Sequence, residues 1–216
     1  MKISAIVPTL NAGDGLASCL ASLNEADEII VADGGSTDAS LAIARASGAT
    51  IVTSEHGRGV QMAKAAQAAR GEALLFVHAD TRLTPAWRAL ANRHLDSSPR
   101  PACFRLKLDD TAWQARVIEL AVSLRTRLAG LPYGDQGLLV PRAAYDAAGG
   151  FRPLVLMEDV DLLRRLSRPL MLEGDAITSA ERWRRDGWLR RSLRNLTCLS
   201  LWRLGVSPDR IARLYA

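Results

Sequence analysis

Two apolar runs in the first third of the chain, Glu28-Ile-Ile-Val-Ala-Asp33 and Ala73-Leu-Leu-Phe-Val-His-Ala-Asp80, each end on an aspartate. Runs of this length within a β/α alternation read as buried parallel strands, and open parallel sheets bind their ligands where the strands end. Both acids therefore point to one sheet edge, where a nucleotide and a divalent metal could be held. Carboxylate oxygens are the donors that hard divalent cations take.

The elements that must position these groups follow from periodicity and turn residues. Residues 2–7, 28–32, 49–53 and 73–77 read as strands, with helical patterns at about 13–24, 37–47 and 58–70 between them. Alternation of this kind requires right-handed crossovers and a largely parallel sheet. Asn11-Ala-Gly13, Gly34-Gly35-Ser36-Thr37, Gly48 and Gly57-Arg58-Gly59 mark the joints. Ser36 or Thr37 is expected to cap the second helix. Beyond residue 84 the spacing predicts a helix near 84–95, a break at 97–101, a strand near 102–108 and a helix over 112–129. Short helices are expected near 142–148 and from about Glu158 to before Pro169, and two tail helices at about 187–204 and 208–214.

Bulk properties bound the function class. A chain of 216 residues with 48% hydrophobic and 24% charged content can fill one large α/β core and is not disordered. Cys19, Cys103 and Cys198 are odd in number and lack metal-ligand spacing, as expected of buried thiols in a reducing compartment. The N-terminal Met1-Lys-Ile-Ser-Ala-Ile-Val-Pro8 is too short in apolar length for a signal-peptide core and reads as the first strand. No stretch approaches the ~18 consecutive apolar residues of a membrane span, so a cytoplasmic protein is expected. The net charge of +5 resides in the tail: Arg182 to Ala216 holds nine arginines against two aspartates. No recognised nucleic-acid-binding motif accompanies that charge, so no nucleic-acid partner is expected.

The loop after the first strand discriminates among nucleotide-using enzymes. Dinucleotide and methyl-donor sites place a glycine-rich fingerprint there, whereas this chain has Pro8-Thr-Leu-Asn11, and it has no P-loop. Ile6-Val-Pro-Thr-Leu-Asn11, Val31-Ala-Asp-Gly-Gly-Ser-Thr-Asp38, Gly57-Arg-Gly-Val-Gln-Met62, His78-Ala-Asp80, Gly134-Asp-Gln-Gly137 and Met157-Glu-Asp-Val-Asp161 occur in an order that resembles family 2 glycosyltransferases. The resemblance runs from residue 3 to about 185. It looks most like a compact bacterial branch often labelled as arsenosugar-biosynthesis glycosyltransferases.

The resemblance implies the GT-A fold, a Rossmann-like α/β domain with a mostly parallel central sheet and C-terminal helices, here over residues 1–186. It implies inverting, metal-assisted transfer of a sugar from a nucleotide-diphosphate donor, with UDP favoured, to a hydroxyl acceptor. By matching position, Pro8, Thr9 and Asn11 would line the donor site and Asp33 would accept the uracil N–H; otherwise Asp33 only organises the Gly34-Gly35 turn. Arg58 opens a helix between two glycines, where a guanidinium and free backbone N–H groups can meet the diphosphate. Asp80 would hold Mg2+ or Mn2+; magnesium usually takes one or two carboxylates plus the donor's phosphates. The family pattern is Asp-x-Asp, and His78 stands at its first position, to bond the ribose or to join the coordination sphere.

Inverting transfer needs one carboxylate to take the acceptor's proton, and Asp159 matches the catalytic aspartate, with Glu158 shaping the site. Asp161 is expected to pair with Arg165 at i+4. Asp135 and Gln136 are expected to contact the donor sugar or the acceptor. Arg182-Trp183 resembles an Arg-Trp pair used near the diphosphate and acceptor by larger membrane members, with Ser179 in place of their glutamine. In residues 187–216, Leu189, Leu193 and Leu196 form an apolar stripe beside Arg190, Arg191 and Arg194. Such a tail suits peripheral contact with the inner membrane face, or packing or homodimerisation; continuing Ala and Leu positions beyond Ser207 favour packing or dimerisation. The competing class is a protein that binds nucleotide-sugar without turnover, or a peripheral membrane adaptor.

Overall fold

The computed structural model describes residues 1–215; Ala216, the end of the tail segment, lies outside the described residues. Strands β1 (Ile3–Thr9), β2 (Glu28–Asp33), β3 (Thr50–Thr53) and β4 (Ala73–Phe76) pair in parallel in the order β3-β2-β1-β4. They alternate with α1 (Gly13–Ser22), α2 (Ser40–Ala46) and α3 (Arg58–Ala68). Side chains of β1 divide the core by strand alternation: Ile3, Ala5 and Val7 pack with α1, and Ile6 packs with α3. Leu16, Cys19, Leu20 and Leu23 complete one layer at helical spacing; Met62, Ala65, Ala66 and Ala69 complete the other. Helices on both faces explain why these strands read as continuous apolar runs.

The second half comprises β5 (Thr81–Leu83), α4 (Trp87–Ser97), β6 (Ala102–Leu108), α5 (Trp113–Ala129), β7 (Leu138–Pro141), α6 (Arg142–Ala147) and α7 (Glu158–Arg165). It closes with β8 (Leu170–Thr178), α8 (Glu181–Asp186), α9 (Trp188–Arg203) and α10 (Pro208–Tyr215). The sheet continues from β4 as β7-β6-β8-β5, with β7 antiparallel to both neighbours, β5 antiparallel to β8, and β6 parallel to β8. The C-terminal ends of β1, β2, β4 and β8 and the N-terminal end of β7 thus share one edge. Residues 9–12, 77–80, 134–137 and 178–183 converge there.

Two expectations need correction. The second helix begins at Ser40, because Ser36 and Thr37 are engaged elsewhere: the Ser36 hydroxyl accepts Asn11 N–H, and Thr37 N–H donates to Asn11 Oδ1. Asp38 supplies the local bond instead, accepting Ser40 N–H at 2.9 Å. The sequence reading also assigns no element to β5 or β8. A strand of three residues carries no periodic signal, and β8 carries Gly174 at its centre, a weak strand former whose bare backbone lies against Leu90 and Phe104.

Candidate active site

The shared sheet edge opens into two connected hollows. One, of about 470 Å³, is lined by Pro8, Thr9, Asn11, His56, Gly57 and Gln61. The other, of about 140 Å³, is lined by Tyr133, Asp135, Asp159, Trp183, Asn195 and Cys198. Arg58, His78, Asp80, Leu156, Ser179 and Arg182 line both and form the boundary between them. The cleft therefore has two compartments meeting at a metal-ligating type of side chain, two arginines and a histidine.

Local sequence explains how each group arrives. Gly57 precedes α3 with φ +136°, and a Cβ at Gly59 would lie 2.3 Å from the Arg152 carbonyl, so only glycine allows α3 to approach the 152–154 backbone. Arg58 is thereby fixed at the helix start, the positive end of the α3 dipole, and lines the cleft. Its Nε lies 3.0 Å from Glu158 Oε1, an ion contact without hydrogen-bond alignment, and Glu158 is fully buried. Gln61 ties the ends of β1 and β2 together by donating Nε2–H to Thr9 O at 2.8 Å and Ala32 O at 2.7 Å.

The carboxylates differ sharply in surroundings. Asp159 Oδ2 accepts Gly134 N–H at 3.1 Å and Oδ1 accepts Val160 N–H at 2.7 Å, which orients the group while leaving it on the cleft wall. Met157 enters α7 in the left-handed region at φ +65°, a costly conformation for a long side chain, and directs Glu158 inward and Asp159 toward the hollow. Asp135 Oδ1 is buried without a hydrogen-bond partner, and its pKa is pushed up to about 6 by burial, with the charges of Asp159 and Asp80 adding to the shift against the opposing pull of Arg125. Among the described residues no cluster of three metal-ligating side chains exists. A cation beside Asp80, completed by phosphate oxygens, nevertheless fits the donor set and would relieve the mutual repulsion of these acids.

Burial drives His78 down to about 4, with Arg58 reinforcing the effect, so the ring is neutral near pH 7. Burial likewise raises Glu158 to about 7, opposed by Arg58. A buried Glu158 keeps its proton in the folded chain between about pH 4.5 and 7, where the unfolded chain has released it, so its contribution to stability is lost as pH rises through that interval. His78 works oppositely, adding stability as pH rises from about 4 to 6.5. Glu158→Gln removes only the first effect. Its stability relative to the parent chain is expected to improve between about pH 5 and pH 8, as denaturant melts at both values would show.

Gly134 lies against the histidine: a Cβ built there would meet His78 Nε2 at 2.2 Å. Gly134→Ala is expected to cost about 1–3 kcal/mol of stability by overpacking. It should also displace the amide that holds Asp159. A melt of the variant beside one of Ala148→Gly, which keeps the cleft intact, separates this local clash from general fragility.

Of the residues singled out in the sequence, Pro8, Thr9, Asn11, Arg58, His78, Asp80, Asp135, Asp159, Arg182 and Trp183 line the cleft. Asp161 pairs with Arg165 at 2.5 Å as expected. Two do not line it. Asp33 is 2% exposed, and its carboxylate accepts the N–H groups of Gly35 at 2.9 Å and Ser36 at 3.2 Å, because a strand-end aspartate reaches the following turn before it reaches a ligand. Gln136 is buried with its amide locked between Thr126 Oγ1 at 2.9 Å and Phe104 O at 3.0 Å, so it braces the loop from behind.

Sequence reasoning missed Tyr133 and the inner face of α9. Arg191, Asn195 and Cys198 recur at i, i+4 and i+7, one helical face, and that face walls the second hollow. Trp183 stacks on Trp188 at 6.1 Å with the Arg191 guanidinium over its ring at 5.6 Å. Arg191 is in turn held by Asp186 at 2.8 Å. All three cysteines are buried thiols.

Comparison with known proteins agrees with this architecture. The family described as "Glycosyl transferase family 2" matches residues 4–114. An uncharacterised protein of Mycobacterium tuberculosis is 35% identical over 126 residues, covering 53% of this chain and 40% of its own length. Glucosyl-3-phosphoglycerate synthase from M. tuberculosis, solved with Mg2+ and UDP, is similar at a TM-score of 0.58 and 21% identity, covering 82% of this chain and 69% of that one. The same enzyme with Mn2+, UDP and phosphoglyceric acid gives 0.55 and 22%, covering 79% and 67%. A further mycobacterial structure gives 0.56 and 22%, covering 82% of this chain and 65% of that one. At such identities the structural likeness shows the GT-A fold alone, and the chain spans only 40% of the curated relative it matches.

Proposed function

The chain belongs to glycosyl transferase family 2, and on that premise we propose that it transfers a sugar from a UDP-sugar to a hydroxyl acceptor with inversion, assisted by Mg2+ or Mn2+. The observation that carries this reading is the pair of hollows meeting at Arg58, His78, Asp80 and Arg182, with Asp159 on the wall of the second alone. The first hollow takes the nucleotide, and Asp33 acts by holding the turn beside it. Arg58, Arg182 and the α3 N-terminus bind the diphosphate. Asp80 would hold a divalent cation, which when bound would neutralise charge on the leaving UDP.

Asp159 receives the acceptor's proton while the acceptor oxygen bonds to the anomeric carbon and the bond from that carbon to the diphosphate oxygen breaks. The proton ends on Asp159 and the electron pair on UDP. Gly134 N–H presents the carboxylate in one orientation, so no reorganisation is needed at the moment of transfer. Neutral His78 and the aromatic wall of Tyr133 and Trp183 exclude bulk water around the reacting carbon. Helices α9 and α10 pack onto the loop before α7 through Leu156, Cys198 and Ile211, and we read them as part of the acceptor wall. In relatives, UDP-glucose and phosphoglyceric acid occupy complexes of the mycobacterial synthase; for this chain a UDP-hexose is the first donor to test.

A thermal-shift screen of nucleotide-sugars tests the reading. A ligand at about 100 times its dissociation constant adds roughly 2.7 kcal/mol. UDP-sugars with Mn2+ or Mg2+ are expected to raise the melting temperature more than either component alone. A metal-independent response to other nucleotides in preference to UDP would contradict the donor assignment.

A further inference from the structure

The outward face of α5 is apolar along its length. Trp113, Val117, Leu120, Leu124 and Leu128 recur at helical spacing and are 49% to 77% exposed. The outward face of α9 repeats the arrangement with Leu189, Leu193 and Leu196, 55% to 73% exposed, followed by exposed Leu204. The sequence stripe on α9 therefore does not pack; packing uses the opposite side, where Cys198 and Leu199 are buried. The two helices approach at the start of α9. Ile118 of α5, Trp183 of α8 and Trp188, the first residue of α9, all pack against one small cluster of Leu108, Ala115 and Ala180. Two exposed apolar helix faces of this length mark an interaction surface more often than bare monomer surface.

We propose that these two faces form one docking surface for an anionic lipid bilayer. Charge selects the occupant. Exposed Arg127, Arg190 and Arg203 flank the leucines, while the only acid of α5, Glu119, is buried between Lys107 and Arg116. Helix α9 contains no acid, and Asp186 before it is enclosed by Arg185, Arg191 and Arg194. A second copy seated on this face would set arginine against arginine across a self-complementary interface, with no carboxylate to offset them. Anionic headgroups offset them directly, and leucines with one tryptophan suit the interfacial depth. No helix among the described residues is long and apolar enough to span a membrane, so the contact lies in the plane of the surface. Because the inner side of α9 walls the second hollow, docking sets the acceptor compartment beside the lipid headgroups.

The test is co-sedimentation of the full chain, without sugar donor, with vesicles of phosphatidylcholine alone or mixed with phosphatidylglycerol; its failure would thus be distinct from failure of the transfer chemistry. Partition into the mixed vesicles is expected to exceed that into phosphatidylcholine by at least about tenfold and to weaken with salt. Leu120→Glu/Leu124→Glu and Leu193→Glu/Leu196→Glu, checked for folding by circular dichroism, should each lower it at least about tenfold. Arg127→Glu/Arg190→Glu, which keeps every leucine, should lose the preference for phosphatidylglycerol and provides an independent reading should a leucine variant misfold. Equal partition into both vesicle types, none at all, or unchanged partition of folded variants would overturn the proposal. So would a solution dimer by light scattering that the leucine substitutions dissolve, since it assigns the face to a second copy.

Discussion

Asp159→Asn is expected to lower turnover by roughly 10²–10⁴-fold while leaving UDP affinity unchanged. The carboxamide is close in shape to the carboxylate and its oxygen can still accept Gly134 N–H, so the loop stays in place, while the bond from Val160 N–H in the first turn of α7 is lost. What disappears is the capacity to receive a proton from the acceptor. Because the side chain lines the second hollow and not the first, nucleotide binding should not register the change. The measurement is UDP release in the presence of acceptor beside a UDP binding isotherm. Normal release by the variant would remove Asp159 from the base role. Equal losses in both readouts would instead make it part of the donor site.

Asp80→Ala is expected to abolish turnover at every Mn2+ concentration and to uncouple UDP binding from Mn2+. One carboxylate is a large share of the protein's ligands when the donor's phosphates supply most of the rest. The chain alone should not suffer. Asp80 adds to the charge that raises Asp135, whose Oδ1 is buried without a partner, so removing it relieves repulsion in the absence of metal. The metal-free variant is therefore expected to melt no lower than the parent chain while failing to turn over at any Mn2+ concentration. A structural aspartate would give the reverse, a lower melting temperature with activity restored by metal.

Much of this cleft was legible in the sequence because strands and turns carry local signals. Apolar runs ending at Asp33 and Asp80, and glycines around Arg58, sufficed to place three loops on one edge, and motif resemblance added Asp159. The direction of a polar side chain was not legible. Asp33 and Gln136 have the right type and the right address, yet both turn inward to nearby backbone and hydroxyl groups, which only the folded loop brings within reach. The tail shows the same limit. Its leucine stripe is plain in the sequence, but which side packs depends on Leu156 and Met157 at the entrance to α7 meeting Cys198 and its neighbours. The face of Arg191, Asn195 and Cys198 that completes the cleft was available as a spacing and had no motif to announce it. Strands β5 and β8 exist through pairing with each other and with β6 rather than through local preference.

The most direct test of the central claim, a UDP-sugar cleft in which Asp80 holds the metal and Asp159 serves the acceptor, is calorimetric titration of UDP with and without Mn2+ into the parent chain, Asp80→Ala and Asp159→Asn. The account predicts Mn2+-dependent binding by the parent chain and by Asp159→Asn, and loss of the Mn2+ dependence in Asp80→Ala alone. Binding that ignores Mn2+, or a loss that follows Asp159 instead of Asp80, would contradict it.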